Sequence, residues 1–219
     1  MFPLQELFIK ICGITNLADA ELACSFGANA VGFIFNHSSE RYIPPDRAIS
    51  IINRLPEHIS KIGVFDGAKP HYIQNIIKQV PLSAVQVLGN YGPDDLVDFD
   101  VSVIKQFQLS RSFDPEIMKN YLVDAFLLKD QNVEQDTAQP KKYHWDVAVK
   151  AKEYGRIILS GNLNPNNVED AVRFVQPYGI DVQSGVELKP GKKDVQKMRD
   201  FIASARGVHL TYGLNDEES

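Results

Sequence analysis

Cysteine is scarce in this chain: Cys12 and Cys24 are the only two in 219 residues. Two thiols cannot build a disulfide framework, and neither stands at metal-ligand spacing from His37, His58, His71, His144 or His209. That pattern suits a reducing compartment and a site without metal. Long apolar runs are missing too. None reaches the ~18 residues that a membrane span requires, and Met1 to Glu6 offers neither a basic nor an apolar leader region. Basic stripes are absent, because 23 Lys and Arg stand against 28 Asp and Glu, a net charge of −5. Nothing offsets a phosphate backbone, so nucleic acid is excluded as a partner. No linker or low-complexity segment divides the sequence. The expectation is one soluble, cytoplasmic domain over residues 1–206, with a loosely ordered acidic tail over 207–219.

What is present is an alternation. Eight short β-branched or apolar runs occur at Leu7 to Ile11, Ala30 to Phe35, Lys61 to Phe65, Ala84 to Val87, Val101 to Phe107, Ala125 to Leu128, Arg156 to Ser160 and Ile180 to Gln183. Between them lie helical patterns at Leu17 to Phe26, Pro45 to Leu55, His71 to Gln79, Asp94 to Phe99, Pro115 to Tyr121, Asp146 to Tyr154, Pro165 to Val175 and Asp194 to Ala205. Asn16 precedes the first as a cap, and Gly27 and Gly155 follow two others as stops. Strands that alternate with helices form right-handed βαβ units on a parallel sheet. Eight units predict an α/β single-domain (β/α)8 TIM barrel, with a doubly wound open sheet as the competing arrangement.

In a barrel, chemistry sits at the C-terminal ends of the strands, and phosphates favour the loops after strands seven and eight. Strand one ends at Cys12, a residue whose ordinary pKa of about 8.5 suits proton transfer near neutrality; the competing reading is a small buried hydrophobe. Strand seven leads into Ser160-Gly161-Asn162-Leu163-Asn164-Pro165, and strand eight into Gln183-Ser184-Gly185-Val186-Glu187. Each loop has a glycine for close backbone approach and polar groups to meet an oxyanion, which marks Gly161, Asn162, Ser184 and Gly185. Arg41, after strand two, offers a planar fork for a carboxylate. Lys192 and Lys193 either add positive potential near the phosphate or face solvent.

Several stretches together resemble the phosphoribosylanthranilate isomerase family. They are Lys10-Ile11-Cys12-Gly13-Ile14-Thr15-Asn16, Ala30-Val31-Gly32-Phe33-Ile34-Phe35, Ser39-Glu40-Arg41-Tyr42-Ile43, Gly63-Val64-Phe65, Ala84-Val85-Gln86, Leu159-Ser160-Gly161-Asn162-Leu163-Asn164-Pro165, and Asp181 to Glu187 followed by Pro190-Gly191-Lys192-Lys193-Asp194. The resemblance spans nearly the whole chain in the family's order. It implies a barrel of the ribulose-phosphate-binding type and a cofactor-independent Amadori rearrangement of an aminated phosphoribose in tryptophan biosynthesis. A carboxylic acid protonates the ring oxygen, the sugar opens to a Schiff base, and a cysteine thiolate removes the C2′ proton. By that matching Cys12 is the base, Arg41 meets the anthranilate carboxylate, Gly161, Asn162, Ser184 and Gly185 hold the phosphate, and Asp181 lies close to the reacting sugar. The partner implied is a small phosphosugar, with no cofactor and no metal, in a homodimer or a monomer.

The acid departs from the family pattern. Where the family ends strand six with Leu-Leu-Asp, this chain reads Leu127-Leu128-Lys129-Asp130. Direct matching puts Lys129 at the acid position; counting back from Trp145 favours Asp130, with a bulge at Lys129 to turn it inward. The loop from Asn132 to Lys142 has no glycine, Val87-Leu88-Gly89 replaces the family's Leu-His-Gly, and Gln183 stands where serine is usual, narrowing the phosphate end. These departures keep two alternatives in view: a barrel of the same ancestry acting on another aminated phosphosugar, or a catalytically weak phosphometabolite-binding protein.

Overall fold

A computed structural model describes residues 6–130 and 144–209. Eight parallel strands close into a barrel in sequence order: β1 (Phe8–Ile11), β2 (Ala30–Ile34), β3 (Ser60–Asp66), β4 (Ala84–Leu88), β5 (Ser102–Leu109), β6 (Ala125–Asp130), β7 (Ile157–Ser160) and β8 (Gly179–Val182). Closure comes from β1 pairing with β8, in a register that sets Lys10 beside Asp181. The open-sheet alternative is thereby excluded.

The connections are helical, as the alternation predicts, but unequal. Among the described residues they include α1 (Leu17–Ser25), α2 (Pro45–Ile52), α3 (Pro70–Gln79), α4 (Trp145–Ala151), α5 (Val168–Val175) and α6 (Val195–His209). Asn16 caps α1, its Oδ1 accepting from the Asp19 N–H at 3.0 Å. The helices expected at Asp94 to Phe99 and Pro115 to Tyr121 are instead short 3-10 segments, Pro93–Leu96 and Pro115–Asn120. Each starts on a proline, and neither is long enough to repeat an α-helical apolar face. The last helix runs to His209, crossing the tail boundary expected at 206, with Val208 buried; residues 210–219 lie outside the described residues. After β8 a small antiparallel hairpin, β9 (Glu187–Lys189) and β10 (Lys192–Lys193), folds back towards β1.

Period-2 alternation organises the interior. Ala30, Ile62, Ala84, Ile104, Ala125, Leu127 and Ile158 point inward and form an apolar plug at the N-terminal end. Residues two further along each strand also point inward, and there the lining turns polar: Lys10, Gln86, Gln106, Ser160 and Asp181 are all buried. The opposite faces, including Ile9, Ile11, Val31, Phe33, Phe65, Val85 and Leu128, pack under the helices as the main core. Fully burying one such Leu, Ile or Phe contributes about 1.5–3 kcal/mol.

Candidate active site

Cys12 follows directly on β1 and continues its inward face, in a cluster with Ile34 and Val64. Its N–H donates to Val182 O at 2.9 Å, which fixes the residue between the first and last strands. The thiol lines a cavity of about 160 Å³ at the C-terminal mouth, with Asp66, Gln86, Leu88, Gln106, Lys129 and Asp181 among its walls. A neighbouring space of about 330 Å³ is lined by Arg41, Gly161, Asn162, Ser184 and Gly185. Lys129, Asp181 and Gln183 line both, so the two are lobes of one site.

The sequence left the choice at β6 between Lys129 and Asp130, with Asp130 favoured. The structure reverses that preference. β6 keeps continuous register with both neighbours, pairing Gln108 with Lys129, Leu109 with Asp130 and Lys129 with Ser160, so no bulge shifts its alternation. Ala125 and Leu127 point inward, and Lys129 follows them into the mouth. Asp130 leaves the strand on the helix side. It is 1% exposed, and its Oδ2 accepts from the His144 N–H at 2.7 Å, with Oδ1 3.5 Å from His144 Nδ1. His144 immediately precedes α4, so this carboxylate anchors the positive end of that helix rather than facing Cys12. The glycine-free loop expected to shape this side of the pocket lies outside the described residues.

The loops after β7 and β8 line the larger lobe together, and their glycines have a steric reason as well. A Cβ on Gly161 would collide with the backbone of Asp130, and one on Gly185 with Leu163 O. Gly161 and Asn162 both adopt positive φ, at 92° and 53°. Asn164 Nδ2 and Asn167 Nδ2 donate to Asn162 O at 3.2 and 2.9 Å, which holds this turn. Among the described residues, the amides of Gly161, Asn162, Ser184 and Gly185 donate to no other group of the chain, which leaves them for an oxyanion. Gln183 faces inward beside them and takes up room, as its size predicts.

Arg41 is not a free fork. Its Nε lies 3.1 Å from both Glu187 carboxylate oxygens, and its Nη2 donates to Oε2 at 2.7 Å. Those hydrogen bonds hold its pKa above the ordinary arginine value. Burial pushes the Glu187 carboxyl up, but Arg41 and Lys193 outweigh it and leave it below the usual range. Lys193 does not face solvent. It is buried, and Nζ donates to Cys12 O at 2.6 Å, Gln183 O at 3.1 Å and Glu187 Oε1 at 3.1 Å. Lys192 reaches the buried Asp19 at 3.0 Å instead.

Sequence reasoning passed over Lys10, Glu187, Gln86 and Gln106. Lys10 Nζ donates to Asp181 Oδ1 at 2.6 Å, and Ser160 Oγ donates to Asp181 Oδ2 at 2.8 Å. Gln86 Nε2 donates to Gln106 Oε1 at 2.8 Å, and the buried Gln86 Oε1 has no partner among the described residues. The available signal was period 2: Lys10 is two before Cys12 on a strand, and Gln86 is two past Ala84.

A thiol and an ammonium thus line one pocket at the C-terminal mouth of the barrel, with two glycine-bearing loops at its far lobe. The model of N-(5′-phosphoribosyl)anthranilate (PRA) isomerase matches residues 9–204. The chain belongs to that family. It is 39% identical over 207 residues to the N-(5′-phosphoribosyl)anthranilate isomerase of Geobacter metallireducens, covering 90% of this chain and 98% of that one. The crystal structure of phosphoribosyl anthranilate isomerase from Thermotoga maritima superposes with a TM-score of 0.83 at 37% identity, over 92% of this chain and 99% of that one. A further isomerase structure, in complex with reduced 1-(o-carboxyphenylamino)-1-deoxyribulose 5-phosphate, superposes at 0.80 with 36% identity and the same coverage. The family's members are isomerases of tryptophan biosynthesis, and this chain is one of them. Among the described residues no cluster of three or more His, Cys, Asp or Glu is placed to hold a metal, and no helix is long and apolar enough to cross a membrane.

Proposed function

We propose that this chain opens and isomerises N-(5′-phosphoribosyl)anthranilate with Cys12 as the base that removes the C2′ proton and Lys129 as the proton donor to the furanose oxygen. The observation that carries this reading is the shared cavity: Cys12 and Lys129 line one lobe from opposite sides of the barrel. Two carboxylates share that lobe: Asp181, which accepts from the Lys10 ammonium and the Ser160 hydroxyl, and Asp66 at the end of β3. Lys129, the ammonium of the lobe, is assigned the donor role. An ammonium is a weaker acid than a carboxylic acid, but the anthranilate nitrogen pushes its lone pair towards C1′ as the ring bond breaks, which lowers the demand on the donor.

The free amides at Gly161, Asn162, Ser184 and Gly185 bind the phosphate. Glu187 engages Arg41 through Nε and Nη2, so the Nη1 edge is the part that takes the anthranilate carboxylate. Leu88, where the family has histidine, gives the aromatic ring an apolar wall. The substrate is thus the family's own, rather than another aminated phosphosugar. The deciding experiment is steady-state isomerisation of phosphoribosylanthranilate by wild type and Cys12→Ala. Loss of about 10²–10⁴-fold in kcat is expected for a proton-transfer group, and full activity in the variant would sink the assignment.

A further inference from the structure

The short 3-10 connections before and after β5 leave room over its outer face, and a lysine occupies it. Lys105 sits in register with Val87 of β4 and Phe126 of β6, and it alternates with the inward Ile104 and Gln106, so its side chain points away from the barrel interior. It is 2% exposed. The rings of Tyr91, Phe107 and Tyr121 surround its Nζ, with centroids at 5.3, 5.4 and 5.8 Å. Its hydrogen bond goes to a backbone oxygen, Gly89 O at 2.8 Å, rather than to a carboxylate. Burial pulls its pKa below the ordinary lysine value, and Asp95 opposes this only in part. A methionine would fill the same space without that desolvation, which cation–π contacts of about 0.5–2 kcal/mol offset incompletely. What the ammonium adds is its grip on Gly89.

Gly89 follows β4 directly, at a φ of 107°, with its backbone pressed against Gly67 after β3; a Cβ there would lie 3.2 Å from Gly67 N. Gly67 N in turn donates to Leu88 O at 2.9 Å. The caging rings extend the same brace, because Tyr91 Oη donates to Ala68 O and Tyr121 Oη donates to Tyr91 O at 3.0 Å. Lys105 thus stands behind a set of bonds that ties the ends of β3 and β4 together. Those ends carry Asp66 and Leu88, paired in register and both on the wall of the Cys12 lobe.

We propose that Lys105 is a positioning residue for substrate binding: by holding Gly89 O it fixes the wall of Asp66 and Leu88 against which the aromatic ring of the substrate packs. It touches no reacting atom. The lobe holds only about 160 Å³, so a turn that relaxes outward or inward spoils the fit of a planar ring. The ring keeps the same contact in the ground state and the transition state, so its loss falls on KM.

The proposal rests on the ring lying against Leu88, and two variants let the two ideas fail separately. Steady-state isomerisation of phosphoribosylanthranilate is compared in wild type, Leu88→Ala and Lys105→Met. KM should rise about tenfold in both variants, with kcat within about twofold of wild type. A lysine that served only stability would lower the melting temperature and the active fraction, which reduces kcat and leaves KM alone. A raised KM in Leu88→Ala with an unchanged KM in Lys105→Met therefore overturns the role of Lys105 and leaves the ring in place. An unchanged KM in Leu88→Ala removes the ring from this wall and overturns both. Should Lys105→Met fail to fold, Tyr91→Phe keeps the cage and cuts only the bond to Ala68 O; a raised KM is again expected, and an unchanged one overturns the proposal.

Discussion

Arg41 and Glu187, 146 residues apart in sequence, share a forked ion pair whose shortest contact is 2.7 Å, and Lys193 meets the same carboxylate at 3.1 Å. Glu187 is thus the hinge of a network that orients Arg41 at the edge of the larger lobe and, through Lys193, ties down the backbone of Cys12. Glu187→Gln should leave the buried Lys193 and the half-buried Arg41 undercompensated, which costs about 3 kcal/mol of stability at neutral pH. KM should rise more than kcat falls, since Arg41 loses its orientation while the base remains. Urea unfolding and Michaelis kinetics read the two effects, and an unchanged KM would remove Glu187 from substrate binding.

The pH dependence of stability follows from the same carboxylate. Its folded pKa lies below the ordinary glutamate value, so folding favours the ionised form. The stabilisation is complete above the unfolded pKa of about 4.3 and is lost as pH falls through the depressed folded value. Wild type should therefore lose stability on acidification below about pH 4.3, and Glu187→Gln should lose less over that interval.

At β6 the two neighbouring residues separate chemistry from architecture. Lys129→Ala should lower kcat by about 10²-fold with little change in thermal stability, whereas Asp130→Asn should lower the melting temperature and leave kcat nearly intact. Lys129→Asp places a stronger acid in the mouth and should raise kcat where ring opening limits the rate. If Asp130→Asn instead abolished turnover in a folded protein, the inward assignment of Lys129 would fall.

Gly161→Ala and Gly185→Ala each drive a methyl into a neighbouring backbone. Overpacking of this kind costs about 1–3 kcal/mol or displaces the loop. Protection of the protein against thermal unfolding by inorganic phosphate should be lost in both variants; protection equal to wild type would place the phosphate elsewhere.

Gln86 and Gln106 pair on the floor of the cavity, with one buried acceptor left over. An unsatisfied buried polar group costs about 1–3 kcal/mol, and substrate hydroxyls could satisfy it. Replacing both residues by leucine should raise the melting temperature and raise KM. A stabler protein with unaltered KM would show the pair to be structural.

The eight-unit barrel was legible because each strand is a short apolar run bounded by turn residues, and the two loops that line the larger lobe stood out because glycine and polar residues follow two adjacent strands. Cys12 and Lys10 were equally legible in principle, lying two apart on one strand, yet a lysine within an apolar run reads as a surface residue until its partner is known. That partner, Asp181, is 171 residues away. Counting back from Trp145 misplaced the β6 side chains because loop length carries no information about which face a strand residue takes; alternation from Leu127 does. The role of Glu187 was hidden for the same reason as that of Lys10, since its contacts join the two ends of the chain. The fourth and fifth connections shrank to 3-10 turns because a proline start announces a helix without fixing its length.

Closure of the barrel through β1 and β8 makes this site a late event in the life of the polypeptide. Cys12 leaves the ribosome well before Lys193, which grips its carbonyl from 181 residues further on. A nascent or truncated chain lacking the last strand and hairpin holds the base without its electrostatic surroundings. Contacts of such long sequence separation form slowly. Regain of isomerase activity during refolding should accordingly lag behind the return of helical signal, so that turnover serves as a timer for the ring's final seam.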